Sequence, residues 1–153
     1  MQRTRGFTLI ELMVVVALVA LATAGVTLSL RDDGSTQLER EALRLSALIE
    51  SARAQSRTSG LPVVWRSLPQ GFEFVGLPPL LSGAPSRDSL LGPRPWLSPD
   101  TLAQVIQPPG ALTLVLGPEP LIAAQRVVLQ QGGKRLTLAT DGISAFAVVP
   151  DTP

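Results

Sequence analysis

The longest apolar stretch of the chain lies near its N-terminus. The 24 residues from Phe7 to Leu30 contain a single ionisable side chain, that of Glu11. As a helix this stretch would be about 36 Å long, enough to cross a hydrocarbon core of about 30 Å. Arg3 and Arg5 precede it, and basic residues favour the cytoplasmic side of a bacterial membrane. The pattern therefore predicts one transmembrane helix over residues 7–30, with the N-terminus in the cytoplasm and the rest of the chain in the periplasm.

A second helical pattern follows a polar break. Residues 31–35 read Arg-Asp-Asp-Gly-Ser, which predicts a kink or a short unwound link. Thr36 and Glu39 then have the spacing of a capping box, and Gly60 before a Leu-Pro pair is a typical helix stop. Apolar residues at steps of three and four predict one buried face, made of Leu38, Ala42, Leu45, Ile49 and Ala52. The charged residues are assigned to the outer, solvated face: Arg40, Glu41, Arg44, Glu50 and Arg53.

The chain beyond this helix has the short apolar runs and turn residues of β-structure. Strands are predicted at residues 63–65 and 72–75, on either side of a Leu-Pro-Gln-Gly turn, and again at residues 112–116. The helix followed by antiparallel strands places the chain in the α+β class.

The C-terminal part predicts a three-stranded meander. Residues 126–130 and 135–139 flank a Gly-Gly pair, and an Asp-Gly pair at residues 141–142 leads into a third run at residues 143–149. Such pairs supply the positive φ angles of tight hairpin turns.

Prolines dominate the segment between the two groups of strands. Eight of the 14 prolines lie between Leu77 and Pro109, and this spacing predicts an irregular loop without a paired strand. A Ser-Pro-Asp sequence at residues 98–100 predicts a brief helix through Ile106. Trp96 and Leu97 lie in this segment, and two interpretations stay open for its apolar side chains. They fix the loop onto the sheet, or Trp96 and its neighbours form a contact patch for another subunit.

Composition excludes several kinds of chemistry. The sequence contains no cysteine and no histidine, so it has no disulfide framework, no thiolate nucleophile, no imidazole base and none of the usual zinc ligands. Thirteen basic and 12 acidic residues give a net charge of +1, which does not favour a nucleic-acid partner.

No local motif points to catalysis. Lys134 follows a glycine, but Arg135 stands where a phosphate-binding loop needs Ser or Thr, and Val128 stands where it needs its first glycine. The Asp-Gly pairs lack the spaced oxygen ligands of a calcium loop. We therefore expect no enzyme activity, no metal and no cofactor.

Glu11 is the most informative residue of the apolar run. A carboxylate inside a membrane segment costs on the order of 2 to 3 kcal/mol, less near the end of the segment. A cut between Gly6 and Phe7 would place Glu11 in the first turn of a helix, where the helix dipole favours negative charge and the new amine is a cation. Neither an ordinary signal anchor nor a secretory signal needs such a residue.

The sequence Arg-Gly-Phe-Thr-Leu-Ile-Glu from Arg5 to Glu11, followed by the apolar run, resembles the class III signal of type IV pilins and type II secretion pseudopilins. This resemblance implies that a prepilin peptidase removes the leader, residues 1–6, and methylates the amine of Phe7. It also implies that Glu11 pairs with the N-terminal amine of a neighbouring subunit during assembly. The implied fold is pilin-like: a long N-terminal helix, half transmembrane and half amphipathic, packed on an antiparallel β-sheet.

Later parts of the chain resemble the H-type minor pseudopilins. The shared features are the short linker and amphipathic helix within residues 31–60, the strand in residues 70–74, and the Asp-Gly pair at residues 141–142. The β domain of this plan spans residues 61–153 and includes the Pro-rich loop 77–110. The resemblance implies a structural subunit of the type II secretion pseudopilus, near its tip. The implied partners are the prepilin peptidase, the major G-type pseudopilin, the minor I-, J- and K-type pseudopilins, the inner-membrane secretion platform and membrane lipid.

Two alternatives stay open. A FimT-like minor pilin of type IV pili has a similar plan, and some members bind DNA through basic C-terminal residues; here that region carries Arg126, Lys134 and Arg135 but no longer basic tail. A secreted periplasmic binding module is the alternative of another class, because the alanines at residues 20–24 fit a signal-peptidase site.

Overall fold

The computed structural model of the chain describes residues 9–78 and 90–150. Two compact units are present, Met1–Gly34 and Ser35–Pro153. In the described residues one helix, α1, runs from Leu9 to Ser59 and is followed by eight strands. The strands are β1 (Val64–Leu68), β2 (Gly71–Val75), β3 (Arg94–Pro95), β4 (Leu102–Gln107), β5 (Thr113–Val115), β6 (Gln125–Gln131), β7 (Lys134–Thr140) and β8 (Ala147–Val149). The α+β class is confirmed, with the helix packed against antiparallel sheets.

The helix α1 continues through residues 31–35, so an unwound link there is wrong, as is a helix start at Thr36, whereas a kink at this position stays a prediction. Ending one helix and starting another leaves up to four N–H and four C=O groups without helical partners at the ends. A single interior glycine costs only about 1 kcal/mol relative to alanine, which favours continuation. From residue 9 to residue 21, all side chains of α1 are exposed. Within the described part of the chain, no helix combines the length and the hydropathy that a membrane span requires.

The C-terminal end of α1 confirms the stop predicted at Gly60. The N–H of Gly60 donates to the carbonyl of Ser56 at 2.9 Å, and Gly60 has a φ of +70°, a conformation that L side chains adopt only at a cost. The Ser56 hydroxyl donates to the carbonyl of Leu61 at 2.6 Å. These two bonds turn the chain from the helix into β1.

The strands form two four-stranded antiparallel sheets. In sheet A the order is β3-β2-β1-β5, and in sheet B it is β4-β6-β7-β8. The hairpins β1–β2 and β6–β7 lie where turn residues predict them, and β8 completes the predicted meander. The Asp-Gly at residues 141–142 is not a two-residue turn, however, because β8 begins only at Ala147.

The Pro-rich segment contains two paired strands, contrary to the prediction. The two-residue β3 pairs with β2, and its proline lies in an edge strand, where a missing N–H is tolerated. The predicted helix through Ile106 is wrong, since β4 occupies this position and pairs Ala103 with Leu129 and Val105 with Val127. Residues 100–107 contain no proline, and a helix this short is marginal, so pairing with β6 prevails.

One hydrophobic core joins α1 to both sheets within the second unit. The predicted helix face is buried as expected: Leu38, Ala42, Leu45, Ile49 and Ala52. Trp65, Phe72 and Phe74 cover it from sheet A, and Val127, Leu129 and Leu138 from sheet B. Phe72 lies at the centre of the aromatic group, with ring centroids 6.3 Å from Trp65 and 4.8 Å from Trp96.

Candidate functional site

The residues of the expected processing site lie at the N-terminus. Arg3, Arg5, Gly6 and Phe7 fall outside the described residues. Glu11 lies in the first turn of α1, where the helix dipole stabilises a carboxylate. Its neighbours along the helix are exposed apolar side chains, namely Leu9, Ile10, Leu12, Met13 and Val14. The described part of this region is thus an apolar helix surface that carries one acidic residue near its N-terminal end.

A second candidate region is the segment Arg94–Ser98, which we call the strap. Trp96 is 6% exposed and Leu97 is 49% exposed, so adjacent strap residues point to opposite environments. Trp96 packs on Phe72 in the core, and its backbone N–H donates to the carbonyl of Gln70 at 3.3 Å. In this conformation Trp96 fixes the strap onto sheet A, whereas Leu97 is available for contact with another molecule.

Two side chains on neighbouring turns of α1 hold the strap. One oxygen of Glu41 accepts the backbone N–H of Leu97 at 2.5 Å, and the other accepts from Arg44 at 3.1 Å. Arg44 also donates to the carbonyl of Pro95 at 3.1 Å, with its guanidinium carbon 5.7 Å from the ring centre of Phe72. A charged acceptor and a charged donor therefore fix the backbone on both sides of Trp96, which gives Leu97 a defined position.

Glu41 lies on the buried side of α1 and not on its outer face. Its exposed fraction is 1%, so the assignment to the solvated face is wrong. The physical reason is the unsatisfied backbone of the strap, which needs an acceptor where it crosses the helix. One signal was available, because Glu41 follows Leu38 by three residues and precedes Leu45 by four, which places it on the buried face.

Arg53 lies further along the helix and holds the C-terminal loop as Glu41 and Arg44 hold the strap. Its predicted position on the outer, solvated face is also wrong. It is 2% exposed and donates to the carbonyls of Gly142 at 3.0 Å and Ser144 at 3.1 Å. Glu50, half-buried, accepts from Arg53 at 3.4 Å and from the N–H of Phe146 at 3.1 Å. These bonds attach the C-terminal loop, residues 141–146, to α1.

The C-terminal loop also stabilises its own turn. The carboxylate of Asp141 accepts the backbone N–H groups of Ser144 at 2.7 Å and of Ile143 at 3.0 Å. Both bonds favour the charged form and lower the pKa of Asp141 below the ordinary value of 3.8, the bond from Ser144 having the larger effect.

The described residues offer no metal site, and they place Arg126 apart from Arg135 on sheet B. No group of three or more acidic side chains in residues 9–78 and 90–150 is arranged to hold a metal ion. Arg126 and Arg135 are both exposed on sheet B, but Arg126 faces Ala139, four residues from Arg135 along β7. At about 3.4 Å per residue they are roughly 14 Å apart along the strand.

Comparisons with known proteins point to the N-terminal region. Residues 1–27 match the prokaryotic N-terminal methylation motif. Over 65 residues the chain is 42% identical to the type II secretion system protein H of Escherichia coli (strain K12), an alignment that covers 41% of this chain and 38% of that protein. The chain therefore matches well under half the length of this curated relative, and no solved structure is significantly similar to it. The chain thus carries the methylation motif and is similar, over part of its length, to a type II secretion system protein H.

Proposed function

We propose that this chain is a minor pseudopilin of the type II secretion system, a structural subunit of a periplasmic pseudopilus that helps to export folded proteins across the outer membrane. The observation that carries the proposal is the uninterrupted N-terminal pattern: a basic leader, Gly6-Phe7, Glu11 and an apolar run, most of which lies within the methylation motif at residues 1–27. The similarity to protein H supports the type II secretion assignment. The subunit has no enzymatic role in this proposal.

The first step is processing of the precursor. Prepilin peptidase cleaves between Gly6 and Phe7 and methylates the amine of Phe7. Before assembly, residues 7–30 anchor the subunit in the inner membrane, with the N-terminus in the cytoplasm and the β domain in the periplasm. The support for this anchoring is the 24-residue apolar run and the basic residues that precede it.

Assembly then uses the acidic residue of the anchor. An amine and a carboxylate in lipid are each costly, and both are stabilised when they meet. Glu11, in the first turn of α1, therefore pairs with the N-terminal amine of a neighbouring subunit. The proposed neighbours are the major G-type and the minor I-, J- and K-type pseudopilins, and a cytoplasmic ATPase drives their extrusion through the inner-membrane secretion platform.

Mass spectrometry of the mature N-terminus tests the processing step. The expected result is a chain that begins with N-methylated Phe7 when the precursor is expressed with a prepilin peptidase. A Gly6→Leu variant replaces the small residue before the cut with a bulky one. It should not be cleaved and should keep residues 1–6. A mature chain that begins at Thr23 or Gly25 would instead support the secreted binding module, and retention of the leader in a functional wild-type cell would refute the proposal.

The charge pair is tested with Glu11→Leu. This variant should insert and be cleaved normally, because an added leucine raises the apolar character of the run, but it should not enter the filament. Incorporation is measured by co-purification with the major pseudopilin, and Glu39→Leu, a change at an exposed position of α1, is the matched control. Normal incorporation of Glu11→Leu would contradict the mechanism.

A deletion strain separates the pseudopilin from the FimT-like alternative. Loss of protein secretion would support the pseudopilin, whereas loss of surface pili would support the FimT-like minor pilin.

A further inference from the structure

Strand β5 forms one edge of sheet A. Among the described strands it pairs only with β1, through Val64↔Val115, Trp65↔Leu114 and Arg66↔Thr113. The N–H of Leu116 donates to the carbonyl of Val63 at 2.9 Å, so Val63 and Leu116 are a hydrogen-bonded pair. Hydrogen-bonded and non-hydrogen-bonded pairs alternate along an antiparallel ladder. Trp65 and Leu114 are then a hydrogen-bonded pair, whereas Thr113 and Val115 turn their N–H and C=O groups away from β1. Outward groups of this kind are a template for pairing with another strand.

The side chain of Gln125 occupies one of these two outward positions. Its Oε1 accepts the N–H of Val115 at 2.7 Å, and its Nε2 donates to the carbonyl of Val115 at 2.7 Å. An amide that accepts and donates to the same residue reproduces the two bonds that an antiparallel neighbour would make there. Gln125 is 2% exposed and belongs to β6, so it joins the edge of sheet A to sheet B.

The surroundings of this edge favour self-association once it is open. A groove of about 370 Å³ lies beside β5, lined in part by Thr113, Val115, Glu119 and Leu121. Val115, Leu121 and the nearby Leu112 are exposed apolar side chains. An antiparallel edge is complementary to itself, because a two-fold axis brings the same strand of a second copy alongside in the opposite direction. Such pairing would bury apolar surface from both copies.

We propose that Gln125 is an edge cap that prevents β5 from pairing with the β5 strand of a second copy of this chain. While the amide is in place, the N–H and C=O of Val115 are both hydrogen-bonded, which leaves Thr113 as the residue of β5 (Thr113–Val115) with an outward pair of groups. Displacing the amide would leave its own buried N–H and C=O groups without partners, which is unfavourable. The cap therefore keeps the sheet from extending between subunits. This inference does not depend on the proposed function, since it concerns only the folded second unit.

The experiment uses the full chain in detergent micelles and takes advantage of its lack of cysteine. Thr113→Cys places a single thiol beside the outward groups of β5, and the second change Gln125→Leu removes the cap. Oxidation should yield at least tenfold more covalent dimer from the double variant than from Thr113→Cys alone. Gln130→Leu combined with Thr113→Cys is the matched control, because it adds a leucine at a partly exposed position of the same strand. A folded double variant that cross-links no more than this control would overturn the proposal.

A second variant keeps the test decisive if Gln125→Leu does not fold. In Gln125→Glu, a protonated carboxyl group both accepts and donates, as the amide does, whereas the ionised group only accepts. Cross-linking through Thr113→Cys should therefore be low at acidic pH and rise severalfold once the new carboxyl group ionises. Glu119 lines the same groove, so the titration is repeated with Glu119→Gln. Cross-linking that does not change with pH, or that changes equally with Gln125 intact, would overturn the proposal.

Discussion

Replacing Glu41 by alanine should weaken the attachment of the strap to α1. The carboxylate of Glu41 is the acceptor for the Leu97 N–H and a partner of Arg44, and it is almost completely buried. Alanine keeps the helix intact and has a slightly higher helix propensity than glutamate. The change therefore removes the bond from Glu41 to the strap without disturbing the backbone of α1.

The loss of stability follows from these contacts. A hydrogen bond to a charged group contributes about 1.5–3 kcal/mol, and the Leu97 N–H would lose its acceptor. Leu97 is half-exposed, so water can reach part of the strap, and Arg44 keeps its bond to the carbonyl of Pro95. We expect the free energy of unfolding to fall by about 2 kcal/mol.

Denaturant unfolding followed by tryptophan fluorescence measures this change, because Trp96 lies between the two anchored backbone groups. Hydrogen exchange at the Leu97 amide gives a local measure, and its protection should decrease in Glu41→Ala. The control is Glu39→Ala, two positions away on the exposed face, with an expected change within about 0.5 kcal/mol. The reasoning is refuted if the two variants unfold at the same denaturant concentration and the Leu97 amide exchanges at the wild-type rate.

Two further predictions concern the C-terminal loop. Arg53→Leu should lower the free energy of unfolding by about 3 kcal/mol, because the carbonyls of Gly142 and Ser144 lose a buried charged donor. The control is Arg57→Leu in the exposed last turn of α1, which should change the free energy of unfolding by less than about 0.5 kcal/mol. Equal denaturation midpoints for these two variants would contradict the assigned contacts. The low pKa of Asp141 means that its carboxylate stabilises the fold at and above about pH 4 and that this contribution is lost as the pH falls through the folded-state pKa. Unfolding of wild type and Asp141→Asn measured from pH 7 to pH 2 should therefore show the steeper loss of stability in wild type; parallel curves would argue against the low pKa.

Much of the fold was predictable because the relevant signals are local. The spacing of Leu38, Ala42 and Leu45 defines the buried helix face, and Gly60 marks its end through a φ angle that few other residues tolerate. The hairpins likewise follow from turn residues between short apolar runs. Each of these predictions needs only a few consecutive residues.

The errors arose where distant parts of the chain decide the structure. Strand β4 forms because β6, twenty residues later, supplies a partner, which a local helix signal does not reveal. The burial of Glu41 and Arg53 depends on backbone groups 56 and about 90 positions away. The bridging role of Gln125 depends on the crossing of two sheets, which no spacing in the sequence specifies.

The position of Arg53 has a consequence for the order in which the fold forms. Its acceptors are synthesised 89 and 91 residues after it. Before Gly142 and Ser144 have been delivered, the guanidinium cannot exchange water for their carbonyl oxygens, and burying it would leave a charge short of partners. A chain that stops before Gly142 would therefore keep an apolar helix face exposed, a natural target for quality-control proteases.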